Sequence, residues 1–308
     1  MQSRTDRTNS ALRPLALAQG LLSRADGSAQ FTFGNVAVLA SVTGPAEVRI
    51  RDELVDRATL EINVRPLRGH GGPPLRAAEA TLSQLLTPLV LLHLYPRALV
   101  QLSLQTVSLP STTFSKPFST DPALAPPEDV KGKGRAVPPP RGTGAGAAEK
   151  AARLNAAMLA LVDAGVQCRG MLVAVAVAIL PAPGSDNDDD EQELRLDPSQ
   201  EEEVESLSTH VFAFSFGQGV GGTEGTCVGV DSVGTFSEDQ LFDAQDLAQC
   251  AAQTVLAFIR RSVETKYGVA GAPPPAQVKP RAGDAMEEEA EEEASEDEED
   301  DDRVMIDA

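Results

Sequence analysis

The chain has no tryptophan, two tyrosines and three histidines, and aromatic residues fill only 4% of its 308 positions. So few rings leave little from which to build a base-stacking platform for single-stranded nucleic acid. Cysteine is scarce too. Cys168, Cys227 and Cys250 are odd in number and show no C-x-x-C spacing, which excludes a disulfide framework and a zinc knuckle and suits a reducing compartment. Cys250 falls on an apolar helix pattern and Cys168 just before an apolar strand, so both are expected to be small buried side chains rather than nucleophiles. His70, His93 and His210 share no ligand spacing, and no metal centre or cofactor is expected. Long hydrophobic runs are missing as well. The longest, Met171 to Ala182, is too short to span a bilayer, and the opening residues MQSRTDRTNS carry no apolar signal-peptide stretch, so no membrane partner is expected.

What the chain has in excess is acid. Lys and Arg number 26 against 46 Asp and Glu, for a formal charge of −20. Two segments hold more than all of it: residues 184–206 have eleven acids and one Arg, and residues 283–308 have fifteen acids and one Arg. The rest of the chain is therefore mildly basic, about +4, and only this part is expected to pack, because blocks of like charge stay solvated. The organisation that follows is a disordered leader over 1–12, one domain over 13–267 interrupted by disordered inserts at 109–148 and 184–206, and a disordered acidic tail over 268–308.

Within the domain, Gln30–Phe33, Val36–Val42 and Ala58–Val64 read as strands, with Leu60, Ile62 and Val64 alternating against polar neighbours. Gly44-Pro45 punctuates the second of them. A helix is expected from about Arg76 to His93, kinked or cut short by Pro88. Val100–Val107 alternates again. The Pro- and Gly-dense stretch 109–148 has no periodicity and cannot bury enough apolar surface to offset its ordering entropy. Structure resumes with a helix over Glu149–Ala164, a fully apolar strand over 171–180, and a strand on which Phe212, Phe214 and Phe216 share one side. After a strand over Val228–Val233, Ser237 and Gln240 form a capping box ahead of a helix carrying Leu241, Ala244, Ala248, Ala251, Val255 and Phe258 on one face. Strands, helix, strand, helix, strands, helix make an α+β fold.

Several pieces together resemble the RNase PH family. Leu22-Ser23-Arg24-Ala25-Asp26-Gly27-Ser28-Ala29, with Gly34-Asn35 and Val38-Leu39-Ala40, is similar to the family's first hairpin, and Gly44-Pro45-Ala46-Glu47-Val48 to the stretch after it. Tyr95-Pro96-Arg97 and the run from Leu154 to Gly165 match two helix regions. The resemblance spans about 13 to 267 and is closest to the small eukaryotic exosome ring subunits that lack an active site. It implies the ribosomal protein S5 domain 2-like form of the α+β class, a mixed sheet with flanking helices. It also implies a six-membered ring with other RNase PH-like subunits, S1/KH cap subunits and RNA as partners, in nucleus, nucleolus and cytoplasm.

Active members of that family cut RNA from its 3′ end with inorganic phosphate. They need cations and a helix N-terminus for the phosphate and a pair of carboxylates beside it. The resemblance puts Lys150 at the family's Arg position and Glu149 at its Thr position, where a carboxylate repels phosphate. A second phosphate Arg falls near Pro74, two positions before Arg76. Asp197 and Glu203 stand where the two acids belong but within an acid-rich run, and both are expected to be vestigial and solvated. Arg141-Gly142-Thr143-Gly144-Ala145-Gly146 looks like a phosphate-cradling loop but has no strand leading into it, and reads as the end of the insert. For RNA there remain Arg65, Arg68 and Arg76 around the loop after the third strand, with Lys150 and Arg153 beside them and Lys131, Lys133, Arg135 and Arg141 on the insert. The expected function is a non-catalytic ring subunit that threads RNA. The alternatives are a phosphate-dependent 3′-to-5′ exoribonuclease using Lys150, Asp197 and Glu203, and a chaperone of basic proteins acting through the acidic tail, which otherwise serves solubility.

Overall fold

The computed structural model describes residues 7–67, 69, 71–110, 145–181, 192–217 and 222–267. Two compact units are present, Met1–Ser262 and Val263–Ala308. In the second, the described residues are the last five of the C-terminal helix.

The alternating segments of the first half become five strands: β1 (Leu15–Gln19), β2 (Gly27–Phe33), β3 (Val36–Glu47), β4 (Thr59–Arg65) and β5 (Ala98–Ser108). They form one sheet in the order β1-β2-β3-β5-β4, with β4 parallel to β5 and the other pairs antiparallel. The crossover from β4 to β5 carries helix α1 (Pro73–Leu86), which packs on β4. Helix α2 (Ala147–Asp163) then leads to a second, antiparallel sheet ordered β7-β6-β8-β9. Its strands are β6 (Met171–Pro181), β7 (Gln192–Leu196), β8 (Ser208–Gly217) and β9 (Gly222–Gly234). The short helix α3 (Gln200–Glu205) links β7 to β8, and α4 (Glu238–Tyr267) follows β9.

The core lies on both sides of α2, which packs against β2 and β3 of one sheet and β6 and β8 of the other. Fourteen of its 17 residues are buried, so it is covered all round rather than along one stripe. Alanine makes this possible. Ala148, Ala152, Ala156 and Ala160 are each at most 3% exposed and let the backbone of each sheet come close, while Leu154, Met158, Leu159 and Leu161 fill the remaining space. Burying each of those larger side chains contributes about 1.5–3 kcal/mol. Phe212, Phe214 and Phe216 are buried on one side of β8, and Val211, Ala213 and Ser215 are buried on the other, so β8 is a covered central strand.

Several expectations change. The segment 184–206, read as a solvated insert, contains β7 and α3 over its described part. Alternation of Leu194 and Leu196 with polar residues pairs β7 to β6, and a full capping box of Ser199 and Glu202 starts α3. Charge density hid both. Residues 182–191 lie outside the described residues, as do 111–144, 1–6 and the tail 268–308. Of the leader, residues 7–12 run beside β7, where the Leu196 N–H donates to the Asn9 carbonyl at 2.8 Å. At the other end of the 109–148 insert, Ala145, Ala147 and Ala148 are buried and belong to α2's start. α1 stops at Leu86, ahead of Pro88, and starts earlier than expected because Pro73 and Pro74 fit its first turn. β3 runs through Gly44-Pro45 to Glu47 with a register shift. Cys250 is exposed and Cys168 half-buried. The buried stripe of α4 runs through Ala244, Ala248, Ala251, Ala252, Val255, Leu256 and Ile259, and position 250 falls off it.

One clamp fixes α2 to the second sheet. The ladder between β6 and β7 begins at Val177, which leaves Ala174 without a strand partner on that side. The fully buried Asn155 replaces it: its Nδ2 donates to the Ala174 carbonyl at 2.9 Å and its Oδ1 accepts from the Ala174 N–H at 2.7 Å. Asn155→Ala strands a buried donor and a buried acceptor, and a loss of about 2–4 kcal/mol is expected. Urea unfolding of the full chain measures it, and a change within about 0.5 kcal/mol shows that the clamp is dispensable.

Candidate functional site

Where β7 ends, the chain turns sharply. Asp197 takes a left-handed backbone conformation (φ 48°) that is costly for a residue with a Cβ. Its N–H donates to the Ala176 carbonyl at 2.8 Å, and its side chain turns inward with the residue 1% exposed. The carboxylate is held by Arg13. The backbone N–H of Arg13 and its Nε donate to Oδ2 at 3.0 and 2.8 Å, and Nη2 donates to Oδ1 at 2.5 Å. Arg7 adds a second guanidinium, with Nη1 3.5 Å from Oδ2 and Nη2 donating to the Asp197 carbonyl at 2.6 Å. A bidentate, charge-assisted pair of this kind fixes the carboxyl's position and fills its acceptor sites.

Six residues on, α3 carries Glu203 to the N-terminus of α2. There Oε1 accepts from the Ala148 N–H at 3.2 Å, and the Ala147 N–H bonds to the same carboxyl. These are first-turn donors that an α-helix cannot satisfy internally, at its positive end. A Cβ on Gly146 would stand 2.6 Å from Oε2, so the glycine at this cap makes room for the carboxylate. Burial is the largest influence on Glu203 and pushes its pKa up to about 7, against the opposing pull of the two N–H donors and the Arg13 charge.

The other side of the α2 N-terminus is also committed. The buried Glu149 accepts from Thr106 Oγ1 at 2.6 Å and from Arg153 Nη2 at 2.5 Å. Arg153 is itself only 3% exposed, and among the described residues its Nε and Nη1 have no hydrogen-bond partner. Lys150 Nζ pairs with Asp231 of β9 at 2.8 Å. Lys150, Arg153 and Asp231 line a crevice of about 360 Å³ between α1, α2 and β9, whose apolar wall includes Ala77, Leu85 and Val230.

The residues singled out by sequence therefore separate into groups. Asp197 and Glu203 do come together, through Arg13, but as buried, partnered groups, not as members of a solvated charge run. Arg153 is a buried partner of Glu149, so it cannot follow an RNA backbone on a surface. Arg65 at the end of β4 and Arg76 in the first turn of α1 are exposed, and Arg68 lies outside the described residues, as do Lys131, Lys133, Arg135 and Arg141. His210 is fully buried between Ser208 Oγ at 2.9 Å and Ser232 Oγ at 2.8 Å, and burial lowers its pKa to about 4, so it stays neutral. Among the described residues no set of His, Cys, Asp and Glu is grouped to hold a metal. Sequence reasoning missed Arg7 and Arg13. Nothing local marks two arginines in a polar leader as partners of an acid more than 180 residues away.

A model of the 3′ exoribonuclease family, domain 1 (RNase PH), matches residues 11–167, and the chain belongs to that family. Among individual relatives, the exosome complex component RRP46 of Saccharomyces cerevisiae is 33% identical over 245 residues, covering 80% of this chain and 93% of the yeast protein. The exosome complex exonuclease RRP46 homolog of Oryza sativa is 34% identical over 107 residues, 34% of this chain and 45% of that protein. The crystal structure of rice Rrp46 superposes with a TM-score of 0.64 at 23% identity, covering 84% of this chain and 98% of that one. The shared fold is thus observed in a solved structure.

The raised pKa of Glu203 has a definite sign in stability. The native state holds the proton up to about pH 7, while an unfolded Glu loses it near 4.3. Between those values the native state binds more protons, so stability falls as pH rises. Glu203→Gln is expected to remove this decline and, at pH 8, to stabilise the chain by about 1–3 kcal/mol relative to pH 5. Urea midpoints at the two pH values read it, and an equal effect of the substitution at both means that Glu203 does not titrate in this window.

Proposed function

We propose that this chain is a non-catalytic ring subunit of the RNA exosome, supporting 3′-to-5′ RNA processing and decay whose chemistry resides in partner proteins. Ring membership rests on one observation, the similarity to the yeast exosome component along four-fifths of the chain. The local geometry supports the absence of catalysis. Phosphate attack on RNA needs an open helix N-terminus with cations around it and an acid able to give up a proton. Here Glu203 sits on the donors, Glu149 brings a further carboxylate to the first turn, Lys150 is paired to Asp231, and Asp197 is hydrogen-bonded to Arg13. An incoming phosphate would find its donors taken.

The partners that follow are the other RNase PH-like subunits, S1/KH cap subunits and RNA, in nucleus, nucleolus and cytoplasm, with rRNA processing and mRNA turnover as the processes served. Arg65 and Arg76 are the exposed described cations suited to follow a phosphate backbone without reading bases. A second reading, an active phosphate-dependent exoribonuclease, is favoured by the rice relative's name as an exonuclease. It would require Glu203 to leave the α2 N-terminus and Lys150 to leave Asp231. The chaperone reading depends on the tail and lies outside the described residues.

Purified chain incubated with labelled RNA and inorganic phosphate is expected to release no nucleoside diphosphates. Release that Asp197→Asn abolishes would establish the enzyme. In the assembled ring, Arg65→Glu with Arg76→Glu is expected to weaken RNA crosslinking to this subunit at least about threefold, because each change puts an anion where a cation would pair with phosphate. Unchanged crosslinking means that the RNA does not pass this surface.

A further inference from the structure

The crevice between α1, α2 and β9 has no part in the ring function proposed above. Small residues open it. Ala77 and Ala78 of α1, Ala213 of β8 and Gly229 of β9 all border it. A Cβ at position 229 would stand 2.5 Å from Leu85 Cδ2, so the glycine is what lets Leu85 lie against the strand. The space of 360 Å³ has room for about twelve non-hydrogen atoms, taking the volume of a water molecule in the liquid for each.

Arg153 borders the same space with most of its donors unused. Its Nη2 is engaged by Glu149 and Thr106, whereas Nε and Nη1 find no partner among the described residues. Folded chains rarely leave the donors of a buried charged group unpaired. The open volume beside this one allows an acceptor from outside the chain to complete the set.

Charge and shape define that acceptor. Each cation at the crevice already holds a carboxylate, Arg153 that of Glu149 and Lys150 that of Asp231. An anion would therefore lose its hydration without meeting an uncompensated positive charge. An uncharged carbonyl gives up less water and accepts a charge-assisted hydrogen bond. Asp231 keeps acceptor capacity after binding Lys150, which suits the N–H of an amide better than an ester or a ketone. The remaining wall, with Leu82, Leu85, Leu154, Val228 and Val230, matches a branched aliphatic body.

We infer that the crevice between α1, α2 and β9 is a binding site for a small uncharged amide with a branched aliphatic body. Its carbonyl accepts from Arg153, its N–H donates to Asp231, and its aliphatic part lies between Leu85 and Val230. The site stands whether or not the chain enters a ring.

Methyl NMR of the full chain, titrated with isocaproamide, tests it. Saturable shifts of the Leu85, Val228 and Val230 methyls and of the Arg153 Nε–H are expected, with a Kd of about 1–10 mM. Isocaproate, the charged twin, is expected to give no saturation over the same range. Arg153→Lys keeps a cation beside Glu149 but removes Nε and Nη1, and is expected to weaken binding at least about tenfold. Ala77→Trp, at an exposed position of α1, is expected to fill the crevice and abolish the shifts while leaving the thermal melt unchanged. No saturable shift, or binding that survives Ala77→Trp, overturns the site. Carboxylate binding as tight as that of the amide overturns the uncharged class. Binding that survives Arg153→Lys but not Ala77→Trp shows an apolar crevice only and overturns the role given to Arg153.

Discussion

The rest of the structure depends on how the N-terminus of α2 is satisfied. A helix enclosed by two sheets cannot leave its first-turn N–H groups to water, and burying them unpaired would cost about 1–3 kcal/mol each. In this chain the partner is Glu203, reaching from α3 across the gap that Gly146 leaves. The solution sets the geometry around it. Seating Glu203 requires α3 to sit at the end of β7, which requires the sharp turn at Asp197, which in turn is held by Arg13 and Arg7 from the leader. One helix end thereby ties together residues from the first 13 positions, the second sheet and the central helix.

The same arrangement bears on the chemistry proposed to be missing from this site. An RNase PH-type reaction recruits an inorganic anion to a helix N-terminus; here a carboxylate of the chain already holds that place. The neighbouring groups are neutralised in pairs, Asp197 with Arg13, Glu149 with Arg153, Lys150 with Asp231. The buried pairs, Asp197 with Arg13 and Glu149 with Arg153, are costly to break, because the group left behind keeps its charge without its partner. Opening the site for phosphate would require several such breaks at once.

Much of this was legible in the sequence, for reasons visible in particular residues. Leu60, Ile62 and Val64 alternate because β4 is covered on one face, and the apolar run of β6 is unbroken because both of its faces are covered. The capping box at Ser237 announced α4. What could not be read was long-range or masked by charge. Glu201, Glu202 and Glu205 made Glu203 look solvated, although only the folded chain distinguishes the one glutamate that turns inward. Arg153 read as a surface base because its position in an alanine-rich helix gives no face to the solvent or to the core. Arg13 had no local signature at all. The resemblance pointed to the two acids; only the structure showed that they are partnered.

Phosphate binding is the most direct test. Titration calorimetry of inorganic phosphate into the full chain at neutral pH and low salt is predicted to show no saturable heat up to concentrations on the order of tens of millimolar, weaker than about 3 kcal/mol of binding. Saturable binding at or below about 1 mM, lost when Lys150 is changed to Ala, would show that the α2 N-terminus is open and would contradict the account.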